Sequence, residues 1–257
     1  MYSLSGKTAF LTGGSSGITL GIAEKYAKEG MNIVLLARNE EKLAAAKAVI
    51  EGHGAACAAI PADVRDADAM AGAFEIAAEK FGEIDVIVAG AAGNFLAMAK
   101  DLKPKGFKTV MDIDAGGVFN TYHAGFPHLR KPGGCLIAIS APQATIPYPA
   151  QIHANAAKAA IDQIVRTVAV EWGPMGVRSL GISPGPIADT EGMARLAPTP
   201  KALEQAARAP ALKRLGTKDE VADLAAFLAS DHAAYITGTI IPCDGGLALA
   251  GLAGLGG

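Results

Sequence analysis

This 257-residue chain has little cysteine, no excess of either charge and no unbroken apolar run, and each shortage excludes a class of function. Twenty-three Lys and Arg against 25 Asp and Glu leave a formal net charge of −2, so the clustered basic surface that nucleic acid demands is not expected. The three cysteines, Cys57, Cys135 and Cys243, lie far apart with neither CxxC spacing nor nearby histidines. Neither a metal site nor a disulfide framework is expected, and the thiols read as reduced and partly buried. The longest uncharged stretch, Pro132 to Ala157, is interrupted by Pro142, Pro147 and Pro149, and the apolar stretch after Asp244 is too short to span a bilayer. No membrane segment is expected. The opening Met1-Tyr-Ser-Leu-Ser-Gly-Lys7 lacks the basic-then-apolar layout of a secretion signal, and the closing Leu-Gly-Gly is no peroxisomal address, so the expectation is cytoplasmic. No linker divides the chain, and residues 1–257 read as a single domain.

What is present is alternation. Thr8–Thr12 is a β-prone run, followed by the glycine-rich turn Gly13-Gly-Ser-Ser-Gly17 and a helical pattern from Ile22 to Gly30. Strands are expected at 32–37, 55–62, 85–90, 134–140, 177–182 and 239–243. Helices are expected at 40–51, capped by Asn39, and at 66–81, 107–129 and 150–171. Between 183 and 216 the helical signals are weak, and then Thr217-Lys-Asp-Glu220 forms a capping box opening a helix to Ala229. Strict β/α alternation implies an α/β fold: a Rossmann-type, doubly wound, mainly parallel sheet of about seven strands with helices on both faces. Ligands then bind at the carboxyl ends of its strands.

The turn Thr12-Gly-Gly-Ser-Ser-Gly17-Ile-Thr19 follows the first strand, where glycines admit a pyrophosphate and a helix N-terminus stabilises its charge. Asp63-Val64 after the third strand, Ala91-Ala-Gly93 after the fourth, Lys158 in the long helix and Pro184-Gly-Pro-Ile187 after the sixth fall in a shared order. On these residues the chain resembles the short-chain dehydrogenase/reductase family over essentially its whole length. One departure is Thr19, where the family pattern TGxxxGxG has glycine. A β-branched residue there is expected to narrow the space between helix and cofactor.

The second strand ends Leu36-Ala37-Arg38, with no acidic residue to bind the ribose hydroxyls of NAD, so NADP(H) is favoured, with Arg38 facing the 2′-phosphate. The resemblance implies a cofactor site made by Gly13, Ser15, Ser16, Gly17, Ile18, Arg38, Asp63, Val64, Ala91, Ala92, Gly93, Ser140, Lys158, Pro184, Gly185, Ile187 and Thr190, with Asp63 and Val64 holding the adenine. It also implies a homotetramer through the long helices at 107–129 and 150–171 and the C-terminal region.

Most members of the family carry Tyr-x-x-x-Lys, where the phenol protonates a substrate carbonyl. Here the tyrosine position is Ala154, the usual serine is Ala141, and the usual mid-helix asparagine is Asp114. Only Lys158 is retained. Ketone reduction needs an acid beside the oxygen, whereas hydride addition to a conjugated dienoyl thioester spreads charge to the thioester oxygen and permits separate protonation of carbon. The stretches Ala91-Ala-Gly-Asn-Phe-Leu96, Val110-Met-Asp-Ile-Asp114, His153-Ala-x-x-Ala-Lys-Ala-Ala160, Ala169-Val-Glu-Trp-Gly-Pro174 and Thr190-Glu-Gly192 resemble the 2,4-dienoyl-CoA reductase branch, especially its peroxisomal type. That resemblance implies Asp114 and Lys158 as the catalytic pair, Asp114 acting through a water, with Phe95 bordering the acyl group of an acyl-CoA and Arg195 meeting CoA phosphates. A plainer reading of Asp114 is a structural ion pair with Lys158, and of Arg195 a surface arginine. Two alternatives remain open: a carbonyl or alcohol oxidoreductase using Tyr148, and an NADP(H)-binding protein without catalysis.

Overall fold

The computed structural model describes residues 4–250. The N-terminal triplet and the glycine-rich tail read above for targeting and subunit contact lie outside the described residues. Seven strands, β1 (Thr8–Thr12), β2 (Asn32–Ala37), β3 (Cys57–Pro61), β4 (Val86–Ala89), β5 (Cys135–Ile139), β6 (Arg178–Pro184) and β7 (Ile240–Cys243), form one sheet in the order β3-β2-β1-β4-β5-β6-β7. Every pairing is parallel. A parallel sheet must bury both faces, and neighbouring side chains of β1 divide accordingly: Ala9 and Leu11 enter one core, Phe10 the other.

The first core takes the apolar stripes of α1 (Gly17–Lys28), α2 (Glu40–Gly52) and α9 (Lys218–Ala229). Two contacts set α1 close on α9. The Tyr26 hydroxyl donates to the Ala225 carbonyl at 3.1 Å, and a β-carbon at Gly21 would stand 2.9 Å from that of Lys218. The second core takes α3 (Ala67–Phe81), α5 (Gly117–Gly125) and α6 (Ile152–Trp172), with Phe10 stacked on Phe74. The remaining helices, α4 (Pro104–Met111), α7 (Glu191–Leu196), α8 (Pro200–Arg208) and α10 (Leu247–Ala250), lie between strands or at the chain's end.

The fold is the one expected, and the caps are where they were read: Asn39 accepts from Lys42 N–H at 2.7 Å, and Thr217 and Glu220 complete a reciprocal capping box. The long helix expected at 107–129 differs. It starts earlier because Pro104 suits a first helical position, and it is divided into α4, a π-helical turn at Asp112–Gly116 and α5, closing at a short 3₁₀ turn that includes Pro127. The weak signals after β6 resolve into α7 and α8, each N-capped by a threonine, Thr190 and Thr199.

Candidate active site

Strand order reverses between β1 and β4, so the loops after these two strands diverge and leave a crevice at their carboxyl ends. A cleft of about 760 Å³ opens there, running from Arg38 past the glycine turn to Asp114 and Lys158. Its first wall is backbone. Gly13 adopts φ +71°, and a β-carbon on it would stand 2.8 Å from the Ala91 nitrogen, so only glycine lets the two loops meet. Gly17 adopts φ +61° and faces open space, while Ser16 at the N-cap of α1 makes no side-chain capping bond. The first-turn N–H groups are therefore left for an anion.

Thr19 is one of the residues lining this wall. It is buried, and its hydroxyl oxygen would stand 2.2 Å from a β-carbon on Gly90. The extra volume on α1 is thus received by a glycine at the end of β4.

At the outer end, Arg38 and Lys42 lie on the cleft wall and β2 ends without a carboxylate. The Arg38 guanidinium is 3.9 Å from Asp63 and its side chain is 66% exposed. Asp63 is gripped by Arg65 through contacts of 2.5–3.1 Å, and those hydrogen bonds lead the causes that hold its carboxyl below the usual carboxylate range. Val64 is buried against α5, where a β-carbon on Gly117 would meet it at 2.7 Å. Lys42 ion-pairs with Glu191, joining α2 to α7 across the cleft rim.

At the inner end, Asp114 projects from the π-helical turn and is 1% exposed. One carboxylate oxygen accepts from the Gly93 N–H at 2.7 Å; the other stands 3.2 Å from Lys158 Nζ. Lys158 also donates to the Ile139 carbonyl at 3.0 Å. Ala154, one turn before Lys158 on α6, lines the same pocket with a methyl group. The corner therefore holds a buried carboxylate–ammonium pair and no phenol at that position.

Of the cofactor residues expected from the sequence, Gly13, Ser15, Ser16, Gly17, Ile18, Arg38, Asp63, Val64, Ala91, Ala92, Gly93, Lys158 and Thr190 line this cleft. Ser140 does not: it is 3% exposed and its hydroxyl donates to Asp162 on α6, which satisfies that carboxyl where burial raises its pKa. Gly185 and Ile187 border a separate cavity of about 450 Å³, and Pro184 borders neither. Arg195 lies on the cleft rim, 64% exposed and paired with Glu191 one turn earlier. Phe95 lies outside the cleft lining and stacks on His153 at 4.4 Å. Tyr148 is half-buried outside the lining, its phenol pushed up by burial and by Asp244. Lys42, Asn94 and Gln143 line the cleft although the sequence reading had not chosen them. Lys42 lies in the first turn of α2, four residues after Arg38, which itself stands in the bend before the helix.

The fit to a dinucleotide is direct: a glycine cradle, free helix N–H groups, two cations at the outer rim and a lysine at the inner end. Among the described residues no group of His, Cys, Asp and Glu could hold a metal ion, and no helix is long and apolar enough to cross a membrane. A family model described as "Enoyl-(Acyl carrier protein) reductase" matches residues 13–248. The chain is 40% identical over 242 residues to the peroxisomal 2,4-dienoyl-CoA reductase [(3E)-enoyl-CoA-producing] of Pongo abelii, covering 93% of this chain and 83% of that one. It is 38% identical over 243 residues to a Bacillus subtilis (strain 168) protein named "Probable 2,4-dienoyl-CoA reductase [(2E)-enoyl-CoA-producing]", covering 93% and 96%. A crystal structure of a short-chain dehydrogenase from Bacillus anthracis superposes with a TM-score of 0.85 at 36% identity, covering 96% and 98%. Fold, cleft and relatives agree that the chain belongs to the short-chain dehydrogenase/reductase family and is an oxidoreductase of that family.

Proposed function

We propose that this protein reduces the conjugated diene of a 2,4-dienoyl-CoA to a 3-enoyl-CoA, using NADPH. The observation that carries the reading is the buried Asp114–Lys158 pair, 3.2 Å apart, beside Ala154. A carbonyl reductase needs a proton donor at the ketone oxygen, and a methyl group supplies none. NADPH, when bound, supplies a hydride to the far end of the diene.

The chain's own residues do the rest. Arg38 and Lys42 engage the 2′-phosphate, and the Gly13–Ile18 turn holds the pyrophosphate through backbone N–H groups. Lys158 binds the nicotinamide ribose and orients Asp114 through their 3.2 Å contact. The Gly93 N–H fixes the other carboxylate oxygen, so the remaining lone pairs of Asp114 hold a water in one place. That water delivers a proton to the α-carbon and regains one from solvent by way of Asp114, and the double bond is left between the third and fourth carbons. Phe95 and Arg195 border the acyl chain and the CoA phosphates. The relatives carry both (3E)- and (2E)-enoyl products in their names, and separate protonation of the α-carbon by a fixed water favours the 3-enoyl product.

Assembly as a homotetramer through α5 and α6 accounts for their uncovered apolar side chains, Phe119 at 57% and Val170 at 78% exposed. Light scattering on a sizing column reads that state directly.

The test of function is turnover. Purified protein is given NADPH with 2,4-hexadienoyl-CoA and, separately, a panel of ketones. NADPH oxidation with formation of hexenoyl-CoA, and none with ketones, supports the reading. Ketone reduction abolished by Tyr148→Phe would replace it with carbonyl chemistry. NADP(H) binding without turnover of either class would replace it with a binding protein.

A further inference from the structure

Charge that develops on a thioester oxygen needs a hydrogen-bond donor fixed before the reaction, and the usual donors of this cleft are missing. Ala154 and Ala141 carry methyl groups, and Lys158 is already committed to Asp114 and to the Ile139 carbonyl. Two neutral side chains with N–H groups line the inner part of the cleft: Asn94 and Gln143.

Both are oriented by one residue. Gln151, at the N-cap of α6 and 7% exposed, accepts through Oε1 from Asn94 Nδ2 at 2.6 Å and from Gln143 Nε2 at 3.4 Å. Asn94 is further tied by accepting the Phe95 N–H at 2.8 Å. The loop and the helix start are bound together at two more points. The Ala97 N–H donates to the Ala150 carbonyl at 2.9 Å, and His153 Nε2 stands 3.0 Å from the Phe95 carbonyl. Ala150 is held at φ 63°, a left-handed conformation costly for alanine, immediately before Gln151. Strain of this kind persists only where surrounding contacts impose it, and here they aim the Gln151 carboxamide.

We propose that Gln143 donates its remaining amide N–H to the carbonyl oxygen of the acyl thioester, replacing the missing phenol as the group that stabilises charge there, with Gln151 as its positioning residue. The inference rests on the thioester reading of the previous section. A carboxamide suits the task because it is neutral and holds a fixed direction when its other N–H is engaged. It leaves Asp114 and its water free to serve the carbon.

The test uses the full-length protein in complex with NADP⁺, which binds dienoyl-CoA without turning it over. The infrared stretch of a ¹³C-labelled thioester carbonyl in bound 2,4-hexadienoyl-CoA reports a donor on that oxygen, and steady-state rates are measured in parallel with NADPH. In the wild type the stretch falls relative to the free thioester. Gln143→Ala and the isosteric Gln143→Glu lose that lowering, and kcat falls by about 10²–10³ while NADPH affinity stays within twofold. Gln151→Ala gives a partial loss of the lowering and a kcat about tenfold down with KM little changed, which a merely structural role would not produce. Wild-type turnover with Gln143→Glu keeping both the shift and the rate overturns the donor assignment alone. A wild type that neither binds nor reduces the dienoyl-CoA overturns the thioester reading and the donor with it.

Discussion

The two ends of the cleft are built from different materials. The cofactor cradle at the start of α1 is backbone: glycines at positive φ, free N–H groups, and exposed cations at its rim. The inner corner is side chain, with a carboxylate 1% exposed and a lysine 9% exposed, each with named partners. The difference explains how the two ends have absorbed substitution. Thr19 replaces a cradle glycine, but the backbone N–H groups survive and the added volume is taken up at Gly90. Ala154, Ala141 and Asp114 stand where the family pattern carries other side chains, and in the proposed reading the chemistry changes with them. Backbone sites tolerate sequence change when a neighbour yields, whereas side-chain sites are redefined by it.

Mutation of each end probes that contrast. Lys158→Met has the largest expected effect. It leaves the Asp114 carboxylate buried without its cation, destabilising the fold by about 3–5 kcal/mol and lowering kcat/KM for dienoyl-CoA by about 10³ or more. Urea unfolding and steady-state kinetics read the two losses. Gly90→Ala drives a β-carbon against Thr19 and costs about 1–3 kcal/mol. If Thr19 and Gly90 compensate, Thr19→Gly in the same chain recovers part of it, a coupling of about 1 kcal/mol in a double-mutant cycle. A neutral Gly90→Ala breaks the account of the cradle.

Arg38→Ala is expected to weaken NADPH binding about tenfold, near 1.4 kcal/mol, and to leave NADH binding unchanged by calorimetry. Thr217→Ala, remote from both ends, costs about 1 kcal/mol through the lost cap and leaves kcat unaltered.

The sheet was legible because each strand is followed by its own punctuation: Gly13 to Gly17 after β1, Asn39 before α2, the Thr217 capping box before α9. These are local signals, carried within a few residues. The π-helical turn at Asp112–Gly116 was not legible, since one extra residue in a turn shifts the apolar phase too little to see within a run such as Val110 to Tyr122. Asp114 was named from resemblance; its exposure and its bond to the Gly93 N–H come only from the fold. Ser140 shows the same limit: resemblance names it for the cofactor, but only the fold shows its hydroxyl bonded to Asp162 of α6. The Asn94–Gln151 bond joins residues 57 apart in sequence, and no local pattern announces it.

The central claim is that Asp114 handles the proton while the cradle handles the cofactor. Single-turnover oxidation of NADPH by Asp114→Asn, with saturating 2,4-hexadienoyl-CoA, separates the two. The account predicts a rate about 10²–10⁴ below wild type with NADPH affinity within threefold. A variant that binds NADPH normally and retains the full rate would contradict it.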